Sequence, residues 1–210
     1  MTHEIMNLFA VPLYVSNLGR KFTDAEVQFF QEQLQEKHGT VSNFASKNKR
    51  VLDADVMKDI HRAIQGNIDN YFKLIFNTGN KVELKITQSW ITLTRSGGSH
   101  HQHIHPNSIA SGVLYINLDE DDGTHFFRNQ DHLWYELVRK QDTYYNVNQY
   151  FIRTKVGDII IFPSNVRHGV KQVTMKADRI SLSFNTFFSG EMGDDEFSNA
   201  LSITMNSRDD

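Results

Sequence analysis

Val156-Gly-Asp-Ile-Ile-Ile-Phe-Pro-Ser-Asn-Val-Arg-His168 is the stretch that decides the architecture. A Gly-Asp turn launches the wholly apolar run Ile159 to Phe162, which is too short for a helix and reads as a buried strand. Pro163 ends it, because Pro carries no N–H for a ladder. His168 then stands at the start of the next strand.

On either side of this stretch the pattern keeps the same rhythm. Leu84 to Thr94 alternates apolar and polar residues with period two, and further runs follow at Ile109 to Leu118, Thr124 to Phe127 and Tyr144 to Thr154. His168 to Val173 and Ile180 to Phe188 complete the series. Many short strands separated by Gly, Asn or Asp turns predict a sandwich or jelly-roll.

Before Val82 the periodicity is helical. Thr23 and Glu26 have capping-box spacing ahead of Val27, Phe30 and Leu34. A second helix is expected from Asp55 to Phe76, with Ile60, Ile64, Ile68, Phe72 and Ile75 on one face and Asn77-Thr78-Gly79-Asn80 as the stop. Leu8 to Val15 predicts an edge strand, since it contains Pro12. Gly39 to Arg50 is polar and reads as a loop, and so does the acidic stretch after Gly190. Helices followed by strands give an α+β class: a jelly-roll core with N-terminal helices packed on one sheet. One domain is expected, with 1–82 supporting the core, 83–190 forming it, and 191–210 as a polar tail.

Composition narrows the chemistry. The 210 residues carry no Cys, so disulfides, thiolate metal sites and Cys nucleophiles are excluded, and any metal must be held by His, Asp or Glu. A net charge of −3 provides no field for nucleic acid. No apolar run approaches the roughly 20 residues that span a bilayer. The opening Met-Thr-His-Glu-Ile lacks the basic flank of a secretory signal, so a cytoplasmic setting is expected.

Histidine is unevenly spread: of ten, four fall in His100-His-Gln-His-Ile-His105. One reading is a polar loop that scavenges metal. Against it, His103 and His105 lie two apart, so on an extended segment both imidazoles project to one side. Pro106 biases His105 to extended geometry, which lowers the entropy cost of holding a ligand. A sandwich can fold His168 back beside this pair. Paired ligands on one strand and a distant His on another is the layout of a facial iron site with open positions.

Taken together, the motifs resemble the Fe(II)/2-oxoglutarate-dependent oxygenases, with the closest likeness to the oxygenase family of tailed bacteriophages and marine bacteria. The likeness rests on Leu8-Phe-Ala-Val-Pro-Leu-Tyr, Trp90, His103-Ile-His-Pro-Asn-Ser-Ile-Ala-Ser-Gly-Val-Leu-Tyr115, Gly157-Asp-Ile-Ile-Ile-Phe-Pro-Ser164, His168 and Arg179-Ile-Ser-Leu-Ser-Phe-Asn185. It implies a double-stranded β-helix, Fe(II), 2-oxoglutarate as cosubstrate, and oxidation of a further substrate with release of succinate and CO2. A host-cytoplasm setting follows if a phage encodes the chain.

By the same resemblance His103 and His168 match iron ligands, and His105 stands where most of the superfamily has a carboxylate. Arg179 and Ser181 match the grip on the far carboxylate of 2-oxoglutarate, and Tyr115 is similar to a tyrosine that also reaches it. The departure at His105 leaves three arrangements open. These are a three-His site (the favoured one), a carboxylate from Asp119, Glu120, Asp121 or Asp122, or a pair formed by His101 and His103. Asn107, Trp90 and Phe126 are candidate substrate-pocket residues, and Thr124 to Arg128 and Trp134 to Leu137 are candidate linings of the entrance. Two other readings compete: a non-catalytic metal-binding jelly-roll module of a phage structural or host-interaction protein, and a three-His dioxygenase without cosubstrate. Arg179 and Ser181 argue against both, since neither needs a carboxylate clamp.

Overall fold

In the computed structural model, which describes residues 3–128, 137–174 and 178–205, the Ile-rich stretch forms β9 (Asp158–Pro163). It lies between β1 (Tyr14–Asn17) and β6 (Ala110–Asn117). Gly157 has φ +87° in the turn that launches it, a left-handed conformation that glycine adopts without steric cost. The sheet continues from β6 through β11 (Arg179–Met192) and β4 (Val82–Thr94) to β3 (Phe44–Ser46) and β2 (Lys37–Gly39), with β12 (Leu201–Ile203) on β11. A second sheet runs β5 (His100–His103), β10 (His168–Val170), β7 (Gly123–Phe127), β8 (Gln149–Arg153). The pairings between these strands are antiparallel. This is the predicted α+β double-stranded β-helix.

Alternation along β11 sorts its side chains to two different environments. Ile180, Leu182 and Phe184 join Ile91, Leu93, Leu114, Ile159 and Ile161 in the larger apolar core. That core is closed by Ile60, Ile64, Ile68 and Tyr71 of α2 (Lys58–Phe76) and by Phe30 of α1 (Asp24–Gln33), with Leu34 at its end. Each fully buried isoleucine of α2 contributes roughly 1.5–3 kcal/mol. The opposite face looks between the sheets, where Tyr115, Ile160 and Phe162 meet Phe126 in a smaller cluster. The remaining interior is polar: Ser111, Asn185, Thr92, Thr94, Ser181 and Arg179 are all buried.

Local signals set the helix ends. Glu26 N–H donates to the Thr23 hydroxyl (3.2 Å), and Glu26 Oε2 accepts from Thr23 N–H (2.8 Å), completing the predicted capping box. Asn77 closes α2 with φ +41°. The 3₁₀ turn Asp55–Met57 precedes α2, so the helix proper starts at Lys58. Phe30 and Leu34 make the expected contacts, whereas Val27 and Ile75 stand exposed, and Tyr71 is buried in addition.

Several boundaries differ from expectation. The N-terminal edge strand starts at Tyr14, past Pro12, while Leu8 and Phe9 are exposed. The expected loop over 39–50 contains β3, which hairpins with β2 and joins β4, because three residues are too few to show a period. The strand expected from Tyr144 starts at Gln149. The stretch after Gly190, expected as a polar tail, continues β11 to Met192 and returns as β12. Among the described residues no helix is long and apolar enough to cross a membrane.

Candidate metal centre

His168 opens β10 directly opposite His103, the last residue of β5, in the small sheet. His105 lies two residues beyond, and its backbone N–H donates to the Ser164 carbonyl at 2.9 Å, which ties the segment after β5 to the end of β9. Both anchors sit beside a proline, Pro106 and Pro163. The three imidazoles converge, with one nitrogen from each lying within 4.8 Å of the others. Nε2 of His105 stands 3.2 Å from Nε2 of His168. Two nitrogens about 2.1 Å from one ion, at a right angle, would stand about 3.0 Å apart.

The ring orientations suit the same centre. Nδ1–H of His168 donates to the Val166 carbonyl (2.9 Å) and Nδ1–H of His103 to the His101 carbonyl (2.8 Å). Each bond fixes the tautomer that leaves the Nε2 lone pair free for an ion. Burial, reinforced by the neighbouring imidazoles, pushes the pKa of His168 down to about 3 and that of His105 to about 4, and burial lowers His103 as well. Neutral imidazoles are the form that ligates. His100 stacks on His103 (centroids 4.3 Å) and is likewise pushed down to about 3, chiefly by burial.

Arg179 occupies a second polar centre in the interior. It is 3% exposed. Its Nε–H donates to Asp122 Oδ2 (2.9 Å), an Nη2 proton goes to the Gly123 carbonyl (3.2 Å), and its guanidinium lies 5.5 Å from the Tyr115 ring centroid. Across the ladder Thr94 faces Arg179, Thr92 faces Ser181, and Ser181 also faces Tyr115. Tyr115 shares a 2.7 Å hydrogen bond with the Thr124 hydroxyl, and burial raises the pKa of its phenol. Thr92 and Thr94 carry buried hydroxyls with no hydrogen-bond partner among the described residues. An unpaired buried hydroxyl costs stability, so two beside a guanidinium mark a place for a polar ligand.

The other expected residues fall as follows. Trp90 lies 5.8 Å from the His105 ring, and Phe126 lies 6.0 Å from His168 and 5.0 Å from Phe162. Asn107 is exposed in the turn before β6, with φ +56°. Asp122 and Asp121 pair with Arg179 and Arg153 respectively, and the convergent group holds no carboxylate. His101 is exposed and reaches His103 through its carbonyl. Thr124 bonds Tyr115, while His125 lies against Phe151 (4.7 Å), and Arg128 donates to the Val147 and Tyr144 carbonyls. Residues 134–136 lie outside the described residues. Sequence reasoning passed over Thr92 and Thr94, although they share the parity of Trp90, and it offered Asp122 as a possible metal ligand, whereas Asp122 pairs with Arg179.

Residues 88–185 match the model of the family described as "Putative 2OG-Fe(II) oxygenase". No curated protein matches the chain. Among solved structures it is similar to an oxidoreductase of the 2OG-Fe(II) oxygenase family from Burkholderia pseudomallei (14% identity, TM-score 0.52, 79% of each chain covered). It is also similar to HygX from Streptomyces hygroscopicus with nickel, 2-oxoglutarate and hygromycin B bound (11%, TM-score 0.54, 84% of this chain and 82% of that one). A Pseudomonas putida prolyl-4-hydroxylase is a third (14%, TM-score 0.51, 83% and 92%). At these identities the structural likeness establishes a shared fold.

Proposed function

We propose that this protein is a non-haem Fe(II) oxygenase with 2-oxoglutarate as cosubstrate, which hydroxylates a further substrate. The observation that carries the reading is the content of one interior: three convergent neutral imidazoles, a buried guanidinium, and the buried hydroxyls of Thr92 and Thr94, which have no partner among the described residues. The family match over 88–185 and the shared fold support it.

In this reading His103, His105 and His168 would hold the ion, and their donor set suits it: three neutral nitrogens, two with tautomers fixed by carbonyls. Bound Fe(II) and 2-oxoglutarate together supply the activation of O2 and the oxidising power. The chain supplies position. Arg179, with Ser181, Thr92 and Thr94 across the ladder, offers charge-assisted and neutral hydrogen bonds to the far carboxylate of a diacid. Tyr115, held by Thr124, walls the same space. Phe126, Phe162 and Trp90 flank the imidazoles with apolar surface that excludes water.

The test is anaerobic addition of 2-oxoglutarate to Fe(II)-loaded protein, with the visible metal-to-ligand charge-transfer band as readout. The band is expected. Retained iron with no band would return the non-catalytic metal-binding module.

A further inference from the structure

We propose that Asp122 is a positioning residue for the cosubstrate: it fixes the guanidinium of Arg179 so that the tip of the fork faces the interior. The inference rests on reading Arg179 as the receptor of the far carboxylate. Three observations carry it. Asp122 Oδ2 takes the Nε proton of Arg179 at 2.9 Å, and the next residue, Gly123, takes an Nη2 proton through its carbonyl at 3.2 Å. One lateral edge of the guanidinium is therefore held by two consecutive residues at the start of β7. A guanidinium has five N–H donors in a rigid plane. Those on Nη1, and the second on Nη2, have no acceptor among the described residues, and they make up the end of the fork that suits a carboxylate in two parallel bonds.

Second, the ion pair is internal. The Arg179 and Asp122 side chains are 4% and 14% exposed. A buried guanidinium without a counter-charge is strongly disfavoured, so Asp122 also keeps Arg179 inside when no cosubstrate is present. Third, Asp122 is itself held in place. Its carboxylate accepts from the Gly123 N–H, its N–H donates to the Asp119 carbonyl, and its carbonyl accepts from Thr154 N–H. The tight turn Asp119 to Asp122 thereby transmits a fixed position to Arg179. Gly123 leaves no alternative packing, because a Cβ there would collide with the Ile152 carbonyl.

The arrangement also redistributes charge. The usual site places a carboxylate on the metal, whereas here the third donor is a neutral imidazole. The corresponding negative charge stands at the other end of the interior, on Asp122. Net charge around a bound dianion is the same, with more positive charge at the metal end.

The experiment uses the full chain loaded with Fe(II) without oxygen, as wild type, Asp122→Ala and Asp122→Asn. Each is titrated with 2-oxoglutarate by the charge-transfer band and with nitric oxide, which reports the metal end alone by its own absorption. Asp122→Ala is expected to raise the half-saturating 2-oxoglutarate by at least about tenfold, with nitric oxide binding unchanged. Asp122→Asn, which keeps an oxygen for the Nε proton and loses the counter-charge, is expected to recover part of that loss. Unchanged or tighter 2-oxoglutarate binding in Asp122→Ala overturns the proposal, the tighter result because Asp122 then competes with the cosubstrate. Equal loss of both ligands also overturns it, by reducing Asp122 to a folding role. If the alanine variant lacks a thermal unfolding transition, Asp122→Glu decides, because it keeps the charge pair and displaces it by one methylene. Weaker 2-oxoglutarate with normal nitric oxide supports positioning, and wild-type binding of both overturns it. A wild-type protein that binds iron and shows no band defeats the functional reading itself, a result distinct from these.

Discussion

Thr94 lies directly opposite Arg179 in the β4–β11 ladder, and its buried hydroxyl has no hydrogen-bond partner among the described residues. Thr94→Val removes the hydroxyl at constant shape. Leaving such a group unpaired costs about 1–3 kcal/mol, so the variant should be more stable than wild type without cosubstrate. With 2-oxoglutarate present the sign reverses, and binding should weaken by about 0.5–1.5 kcal/mol. Thermal unfolding with and without the diacid checks both halves. A variant equal to wild type in both assays would place Thr94 outside the site.

Arg179→Ala should weaken 2-oxoglutarate binding by about 2–5 kcal/mol, as expected for truncating one side of a buried charged contact. Titration of the Fe(II)-loaded variant measures it. An unchanged half-saturation removes Arg179 from cosubstrate binding.

His168→Ala should abolish stoichiometric iron, because His168 is the most buried of the three imidazoles and stands 3.2 Å from His105. Metal analysis after anaerobic loading and desalting is the readout, with circular dichroism confirming the fold. Retention of one iron per chain would mean that another group is the distal ligand.

Acid should destabilise the metal-free protein. His105 and His168 have folded pKa values near 4 and 3, below the ordinary 6.5. Between the two limits the unfolded chain binds protons that the folded chain refuses, so protonation favours unfolding. Their contribution is therefore complete above about pH 6.5 and is lost progressively as pH falls toward the folded values. Denaturant midpoints between about pH 7 and 5 check it, a range above most carboxylate titration. Iron affinity should fall over the same range, since protons compete for the Nε2 lone pairs. A flat midpoint would show that these imidazoles are hydrated.

The scaffold can be perturbed apart from the site. Glu26, 3% exposed, accepts from Thr23 N–H and from both Nη atoms of Arg20 (2.8 and 2.6 Å). These contacts hold its carboxyl below the usual range, with the Arg20 hydrogen bonds the largest cause. Glu26→Ala should cost about 1–2 kcal/mol in chemical denaturation and leave iron stoichiometry unchanged. Loss of iron in this variant would show that α1 and the metal centre are coupled.

What the sequence disclosed depended on the range of the signal. The apolar run Ile159 to Phe162, the capping box of Thr23 and Glu26, and the parity of His103 and His105 are local, and each is legible from a few residues. The meeting of His168 with His103 could be anticipated from the layout of a sandwich, because a strand that ends at Pro163 must turn back. The Asp122–Arg179 pair spans 57 positions and leaves no local trace, since Asp119 to Asp122 looks like any solvated acidic turn. β3 and β12 are three residues each, shorter than any period needs, and exist because β4 and β11 offer open edges.

The two-faced character of β11 has a consequence for how such a protein can change. Ile180, Leu182 and Phe184 join the core that the helices close, while Arg179, Ser181, Ser183 and Asn185 alternate with them on the opposite face. Because the residues alternate, substitutions on that polar face can accumulate while the anchoring face stays intact. Chemistry and durability are thus inherited on separate registers of one strand, and selection can revise the first without wagering the second.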